Sequence, residues 1–223
     1  MNTLILLAGG TGSRTGLSQP KQFLEINNKS LLEWCYLSFL KTKEFHFIIV
    51  VSPKEYFSFI EKLLLKYELP YKIIESGKER ANSVYNGLMA CPKDTKLVAI
   101  HDSARANIKF NLIKQLIKKS IQNDCGVIPG YLGSDSIKQV DSYQKVVKTL
   151  NRGEVFKVQT PQIFPYKKIL ESYQIGISKN YNGTDCSSYY EQLYDVFIVE
   201  GHKDNIKLTF HDDIKKLELL LKK

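Results

Sequence analysis

The chain has 223 residues, 43% of them hydrophobic and 11% aromatic, which is ample for a packed core in one domain and excludes a disordered chain. The formal net charge is +9, but the lysines are spread over the whole length, clustering only at Lys114, Lys118 and Lys119 and at the C-terminus. That scatter argues against a nucleic-acid groove and for a solvated basic surface that also meets small anionic substrates. No apolar run reaches roughly 18 residues and MNTLILLAGG lacks a basic flank, so no membrane span or signal peptide is expected, and the chain reads as cytoplasmic.

The four cysteines, Cys35, Cys91, Cys125 and Cys186, show no CxxC or Cys/His spacing, so they read as reduced and structural. Residues Thr3 to Ala8 form the continuous apolar run of a buried parallel strand. It leads directly into Gly9, Gly10, Gly12 and Gly16, which let backbone N–H groups approach a ligand. Arg14 and Lys21 add positive charge, and Pro20 stiffens the segment before that lysine. The stretch is an anion cradle suited to a polyphosphate. It is not a Walker loop, because Lys21 follows proline and precedes Gln22, and it is not a dinucleotide fingerprint, because Thr15 stands where the third glycine belongs. A glycine-rich turn without a ligand is the alternative, and it would have no need of the basic pair.

Downstream, Ser30 is placed to cap a helix whose inward positions are Leu31, Leu32, Trp34, Cys35, Leu37, Ser38 and Leu40. HFIIVVS, residues 46 to 52, is a second buried strand. Pro53 opens a helix running through Leu65 with Phe57, Ile60, Leu63 and Leu64 inward. Pro70 stops it before the strand YKIIES, completing a βαβαβ pattern. GKERANSVYNGL, residues 77 to 88, enters a further helix and offers its N-terminus and the Ser83 hydroxyl as a second anion or base pocket; a plain capped helix start is the alternative.

LVAIHDSAR, residues 97 to 105, is a strand ending in a polar cluster, where open α/β sheets place their chemistry. Asp102 is the natural ligand for Mg2+ there, and His101 a structural hydrogen bonder. An amphipathic helix over 111–123 and a short strand over 125–130 follow. Between Leu132 and Phe156 the sequence alternates around the polar turn DSYQK, giving a ribbon too polar for a core and in need of a partner surface. Pro161 breaks an extended segment, and a helix is expected over 165–175. Thr184 is a cap or a ligand. The chain closes with a strand, a turn ending in NIKLT, and a helix whose start suits Asp212 and Asp213.

LAGGTGSR followed by PKQFL resembles the signature of nucleotidyltransferases that activate sugar and polyol phosphates. The PKQ form points to the 2-C-methyl-D-erythritol 4-phosphate cytidylyltransferases of the non-mevalonate isoprenoid pathway, with the ribitol-5-phosphate cytidylyltransferases as relatives. The pattern GxxRxxSVxNGL at Gly77, Arg80, Ser83, Asn86 and Gly87, the string QTPQIF and the string NIKLT carry the resemblance along the chain. Departures are Ser103 and Ala106 in HDSARA, Ser136 in DSIK, Asn151 in TLNR, and Cys186 where the family has an acid.

The resemblance implies a Rossmann-like nucleotide-diphospho-sugar transferase fold, a mostly parallel sheet flanked by helices in one domain, with residues 132–157 as a protruding β-hairpin arm that pairs two subunits into a homodimer. It implies transfer of a cytidylyl group from CTP, with Mg2+, to a polyol phosphate: methylerythritol phosphate, favoured by DSIKQV and TLNR, or ribitol phosphate. A nucleotide-binding regulator without catalysis is the alternative of another class, and the retained Arg14 and Lys21 speak against it. By resemblance Arg14, Lys21 and Lys207 are catalytic. Ala8, Gly9, Gly10, Gly12, Gly77, Ser83, Ser103 and Arg105 would contact CTP. Asp102, Ser136, Thr160, Thr184 and Lys207 would hold the acceptor, with Arg152 reaching it from the neighbouring subunit.

Overall fold

A computed structural model describes residues 1–10 and 19–222. Gly12 and Arg14, both expected in the cradle, lie outside the described residues. β1 (Asn2–Leu7) ends at the glycines, and after the cradle a short hairpin of β2 (Glu25–Ile26) and β3 (Lys29–Ser30) turns through Asn27 and Asn28 at positive φ. Asparagine tolerates that left-handed geometry better than most residues. α1 (Leu31–Leu40) follows, with the Ser30 hydroxyl accepting from the Glu33 N–H at 3.1 Å.

α1 buries Leu31, Leu32, Cys35, Tyr36 and Phe39, while Trp34, Leu37, Ser38 and Leu40 are only partly covered. The inward face is therefore rotated from the expected one. The two large rings at Tyr36 and Phe39 take the core, and Trp34 instead covers its rim, its indole N–H donating to the Ile26 carbonyl at 2.8 Å.

β4 (Phe47–Ser52) leads through a 3-10 turn at Lys54–Tyr56, rather than directly, into α2 (Phe57–Leu64). Of the expected inward residues there, Ile60, Leu63 and Leu64 are buried and Phe57 is half-buried. Then come β5 (Tyr71–Glu75), α3 (Arg80–Met89), β6 (Leu97–Asp102), α4 (Phe110–Asn123) and β7 (Gly126–Leu132). The ribbon is β8 (Ile137–Val140) with β9 (Val146–Leu150). The chain returns through β10 (Phe156–Val158), β11 (Gln162–Pro165), α5 (Tyr166–Ser178), α6 (Cys186–Tyr190), β12 (Val196–Glu200) and α7 (Asp212–Leu220).

The main sheet runs β10-β7-β11-β6-β1-β4-β5, with β12 also paired to β7. β5, β4, β1 and β6 are parallel, β12 is parallel to β7, and β10 and β11 are antiparallel to their neighbours. Alternation along each strand divides the core between two faces. Leu4 and Leu6 of β1 join the cluster under α1, α2, α4 and α7, whereas Ile5 joins the one under α3, α5 and α6.

The chain leaves β1 for β4 and β5 on one side, then crosses back to β6 on the other. That reversal opens a crevice at the C-terminal ends of β1 and β6, the usual ligand position in such sheets.

Candidate active site

Three strand ends build a cavity of about 380 Å3, within the ~300–1,000 Å3 range of small-molecule sites. From β1 come Gly9 and Gly10, from β5 Gly77, and from β6 Asp102. Lys21, Ser83 and Lys207 also line it, together with Gln22, Lys78, Glu79, Arg80 and Thr209.

The two glycines nearest the loop crossing are sterically required. A Cβ on Gly9 would lie 2.8 Å from Ser76 Cβ, and one on Gly77 would lie 2.3 Å from Asn82 Cβ. The Ser83 hydroxyl ties this crossing together, accepting from the Gly77 N–H at 3.0 Å and donating to the Glu79 carbonyl at 3.1 Å. Ala8, which is buried, anchors the cradle's start by donating its N–H to the Val51 carbonyl at 2.8 Å, and its own carbonyl accepts from the buried Gln22 amide.

Asp102 is the electrostatic centre. Arg80 donates to Oδ1 from Nε at 3.3 Å and from Nη2 at 3.2 Å, and Lys207 Nζ donates to Oδ2 at 2.6 Å. Burial by itself pushes a carboxyl pKa up, but here the Arg80 and Lys207 charges outweigh it and hold Asp102 well below the usual carboxylate range. The group is therefore ionised near neutral pH. Arg80 also donates from Nη1 to the Cys186 sulfur at 3.4 Å, so the thiol that stands where the family has an acid is a buried neighbour of the site. Burial pushes its pKa up as well, which suits a structural thiol.

Behind Asp102 lies a chain of bonds with one consistent proton arrangement. The His101 Nε2 faces the Arg105 carbonyl at 3.0 Å, and a carbonyl only accepts, so Nε2 carries the hydrogen. Nδ1 then accepts from the Thr160 hydroxyl at 3.0 Å, whose oxygen in turn accepts the Asp102 N–H at 3.2 Å. Only neutral imidazole fits, and burial accordingly pushes His101 down to about 4.

The remaining expected residues are placed apart from the cavity lining. Ser103 is fully buried. Arg105 turns its guanidinium to the Asn205 carbonyl, donating from Nη1 at 2.7 Å. Thr160 is buried beneath Asp102. Ser136 and Arg152 are exposed on and beside the ribbon, Arg152 donating to the Ser134 carbonyl at 3.4 Å. Thr184 is exposed, and the cap of α6 is Asp185, which accepts from the Ser188 N–H at 2.9 Å.

Arg80, Gln22 and Thr209 line the cavity without having been singled out as site residues. Arg80 stood in the quoted motif GxxRxxSV, and its spacing could not show that Asp102, 22 positions on, would receive it. Gln22 stood in the PKQ string, which was its only signal.

Lys21 Nζ donates to the Leu208 carbonyl at 2.7 Å, bringing the cradle lysine against the segment that carries Lys207. With Lys78 and Arg80, the described lining holds four cations against the carboxylates of Glu79 and Asp102. Such a surplus suits a polyanion.

Residues 2–223 match the family model of 2-C-methyl-D-erythritol 4-phosphate cytidylyltransferase. The chain is 35% identical over 228 residues to the 2-C-methyl-D-erythritol 4-phosphate cytidylyltransferase of Clostridium botulinum strain Langeland, covering 100% of this chain and 98% of that one. It is 34% identical over 220 residues to the chloroplastic enzyme of that name from Oryza sativa subsp. japonica, covering 98% and 74%. The solved structure of 4-diphosphocytidyl-2C-methyl-D-erythritol synthase from Anaerococcus prevotii is similar with a TM-score of 0.89 at 28% identity, over 100% of this chain and 98% of that chain. Motif, fold and crevice thus converge: the chain belongs to the 2-C-methyl-D-erythritol 4-phosphate cytidylyltransferase family.

Proposed function

We infer that the protein transfers CMP from CTP to 2-C-methyl-D-erythritol 4-phosphate, giving 4-diphosphocytidyl-2-C-methyl-D-erythritol and pyrophosphate. One observation carries the reading beyond family membership: a cavity at the switch point of the sheet is lined by Gly9, Gly10 and Gly77 and ringed by Lys21, Arg80 and Lys207. An oxygen of the acceptor phosphate attacks the α-phosphorus of CTP in line. That P–O bond forms as the bond to the β-phosphate bridging oxygen breaks, and pyrophosphate leaves with the electron pair. The nucleophile is already an anion, so no general base is required, and the protein's work is to hold two anions together while charge grows on the bridging oxygens.

In this reading Lys21 and Arg14 neutralise the triphosphate. Ala8, Gly9, Gly10, Gly12, Gly77 and Ser83 shape its cradle. Lys207 meets the acceptor phosphate from its place beside Asp102, and Asp102 faces the acceptor. Thr160, through its bonds to Asp102 and His101, supports that carboxylate from behind. Ser103 and Arg105 act from beneath the floor rather than from the lining. Thr184 and Ser136 complete the acceptor side.

Asp102 would hold a Mg2+ ion, which when bound would neutralise charge on the triphosphate oxygens. Among the described residues no group of three His, Cys, Asp or Glu side chains could hold a metal. Asp102 accepts three hydrogen bonds, two on Oδ1 and one on Oδ2, of the roughly four a carboxylate can take, which leaves room on Oδ2 for an ion that phosphate oxygens and water would complete.

The arm, residues 132–157, makes the active unit a homodimer. Val140, Tyr143, Val146 and Val147 are exposed on it, and a two-stranded ribbon is marginal alone. Arg152 does not line its own chain's cavity, which supports delivery to the partner's. Four buried, unpaired cysteines suit a reducing compartment, the cytoplasm.

The test is CTP-dependent pyrophosphate release with methylerythritol phosphate and with ribitol phosphate in parallel. Turnover with the first and little with the second is expected. Turnover with ribitol phosphate alone overturns the choice of acceptor, and none with either overturns the activity.

A further inference from the structure

We propose that Gln159 is a positioning residue for Lys207, acting through the turn at 202–205; the proposal rests on the reading that Lys207 acts on substrate. Lys207 sits on neither a helix nor a strand, since residues 201–210 are irregular between β12 and α7. Irregular backbone has no ladder of its own, so its place is set by whatever bonds it from outside.

Gln159 supplies those bonds at the upstream end. It is 2% exposed, and its own N–H donates to the Pro129 carbonyl at 2.8 Å, which fixes it to the sheet. Its Nε2 donates to the His202 carbonyl at 2.8 Å and to the Asn205 carbonyl at 3.0 Å, and its Oε1 accepts the His202 N–H at 3.3 Å. The turn is pressed on this amide, since a Cβ on Gly201 would lie 2.4 Å from Oε1. Asn205 is locked further by its own Nδ2, which donates to the Thr160 carbonyl at 2.9 Å, and by Arg105.

The downstream anchor is Leu208, whose N–H donates to the Ala104 carbonyl at 2.8 Å and whose carbonyl accepts from Lys21. Lys207 is therefore held between two anchors a few residues apart, with its Nζ 2.6 Å from Asp102. Gln159 does not line the cavity, so any effect it has on turnover passes through the turn.

The experiment is a double-mutant cycle of Gln159→Met and Lys207→Ala, with crystal structures of wild type and Gln159→Met. Methionine keeps the volume and removes both polar ends. Since a misplacement of about 1 Å can cost up to ~10²-fold, Gln159→Met should lower turnover about tenfold in the wild-type background and less than about twofold in Lys207→Ala. The methylthioether structure should show Lys207 Nζ displaced from Asp102.

Equal losses in both backgrounds, or no loss in the first, overturn the proposal, because a general structural role is indifferent to Lys207. An unmoved Lys207 in the variant overturns it whatever the kinetics show. If wild type itself releases no pyrophosphate, the functional reading fails and the displacement alone decides the clamp. Should Gln159→Met fail to fold, Asn107→Ala replaces it, since Asn107 Nδ2 holds the same turn at the Asp204 carbonyl, 3.0 Å away; about a threefold loss dependent on Lys207 is then expected, and an independent loss overturns the proposal.

Discussion

The crevice and the ribbon are opposite solutions for polar chain in one molecule. In the crevice, Asp102, Arg80 and Lys207 satisfy one another, and buried side chains such as Gln159 and Thr160 fix the surrounding backbone. In the ribbon, β8 and β9 pair, among the described residues, only with each other, around a turn held by Asp141 Oδ1, which accepts from the Tyr143 and Lys145 N–H groups. Val146 and Val147 are exposed at 54% and 62%, where a core strand would cover one of them. The crevice is preorganised within one chain. The ribbon leaves Val140, Tyr143, Val146 and Val147 to solvent.

The largest expected effect is on the crevice. Lys21→Ala should lower turnover at least ~10²-fold with the fold intact by circular dichroism, because losing a preorganised charge at a transition state costs roughly 3 kcal/mol. A folded variant losing less than about tenfold would remove Lys21 from the chemistry.

The contrast itself is tested by subunit mixing. If Arg152 acts from the arm of the partner, inactive Arg152→Ala and inactive Lys21→Ala proteins should regain activity on exchange. About half of randomly exchanged dimers are mixed, each with one complete site of two, so recovery should approach roughly a quarter of wild type. Exchange shown by tagged subunits without recovery would return Arg152 to its own chain or to no site.

The buried bonds behind Asp102 should be visible in the pH dependence of stability. His101 is lowered from 6.5 to about 4, so the unfolded chain binds the extra proton between those values. Its contribution is fully present above about 6.5 and is lost as pH falls towards 4, amounting to about 3 kcal/mol over the window. Urea unfolding at several pH values should show this slope, and His101→Gln should reduce it; an unchanged slope would refute the neutral buried imidazole. Asp102, lowered instead below its ordinary range, should lose its contribution only in more acidic solution.

The smallest effect is expected at Cys186. Serine can still accept from Arg80, so Cys186→Ser should keep most activity, and a folded but inactive variant would give the thiol a role that its burial argues against.

The local parts of this protein were legible in the residues. Apolar runs and alternation located the strands, Ser30 announced α1, and Gly9 and Gly10 stand in the cavity lining where β1 ends, because hydrophobic period, caps and glycine geometry act over a few residues. Asp102 was legible as a strand-end carboxylate for the same reason. The rotated face of α1 was not, since whether Tyr36 and Phe39 or Leu37 and Leu40 point inward depends on what α4 and the sheet leave room for.

Nor could spacing disclose that Asp102 would be shared by Arg80 and Lys207, residues from either side of it in the chain, or that Gln159 would hold the turn leading to Lys207. Those contacts join positions up to 105 apart. They exist only once strand order and register have set the backbone, because ion pairs and hydrogen bonds are decided by distances of a few ångströms in space and not by separation along the chain.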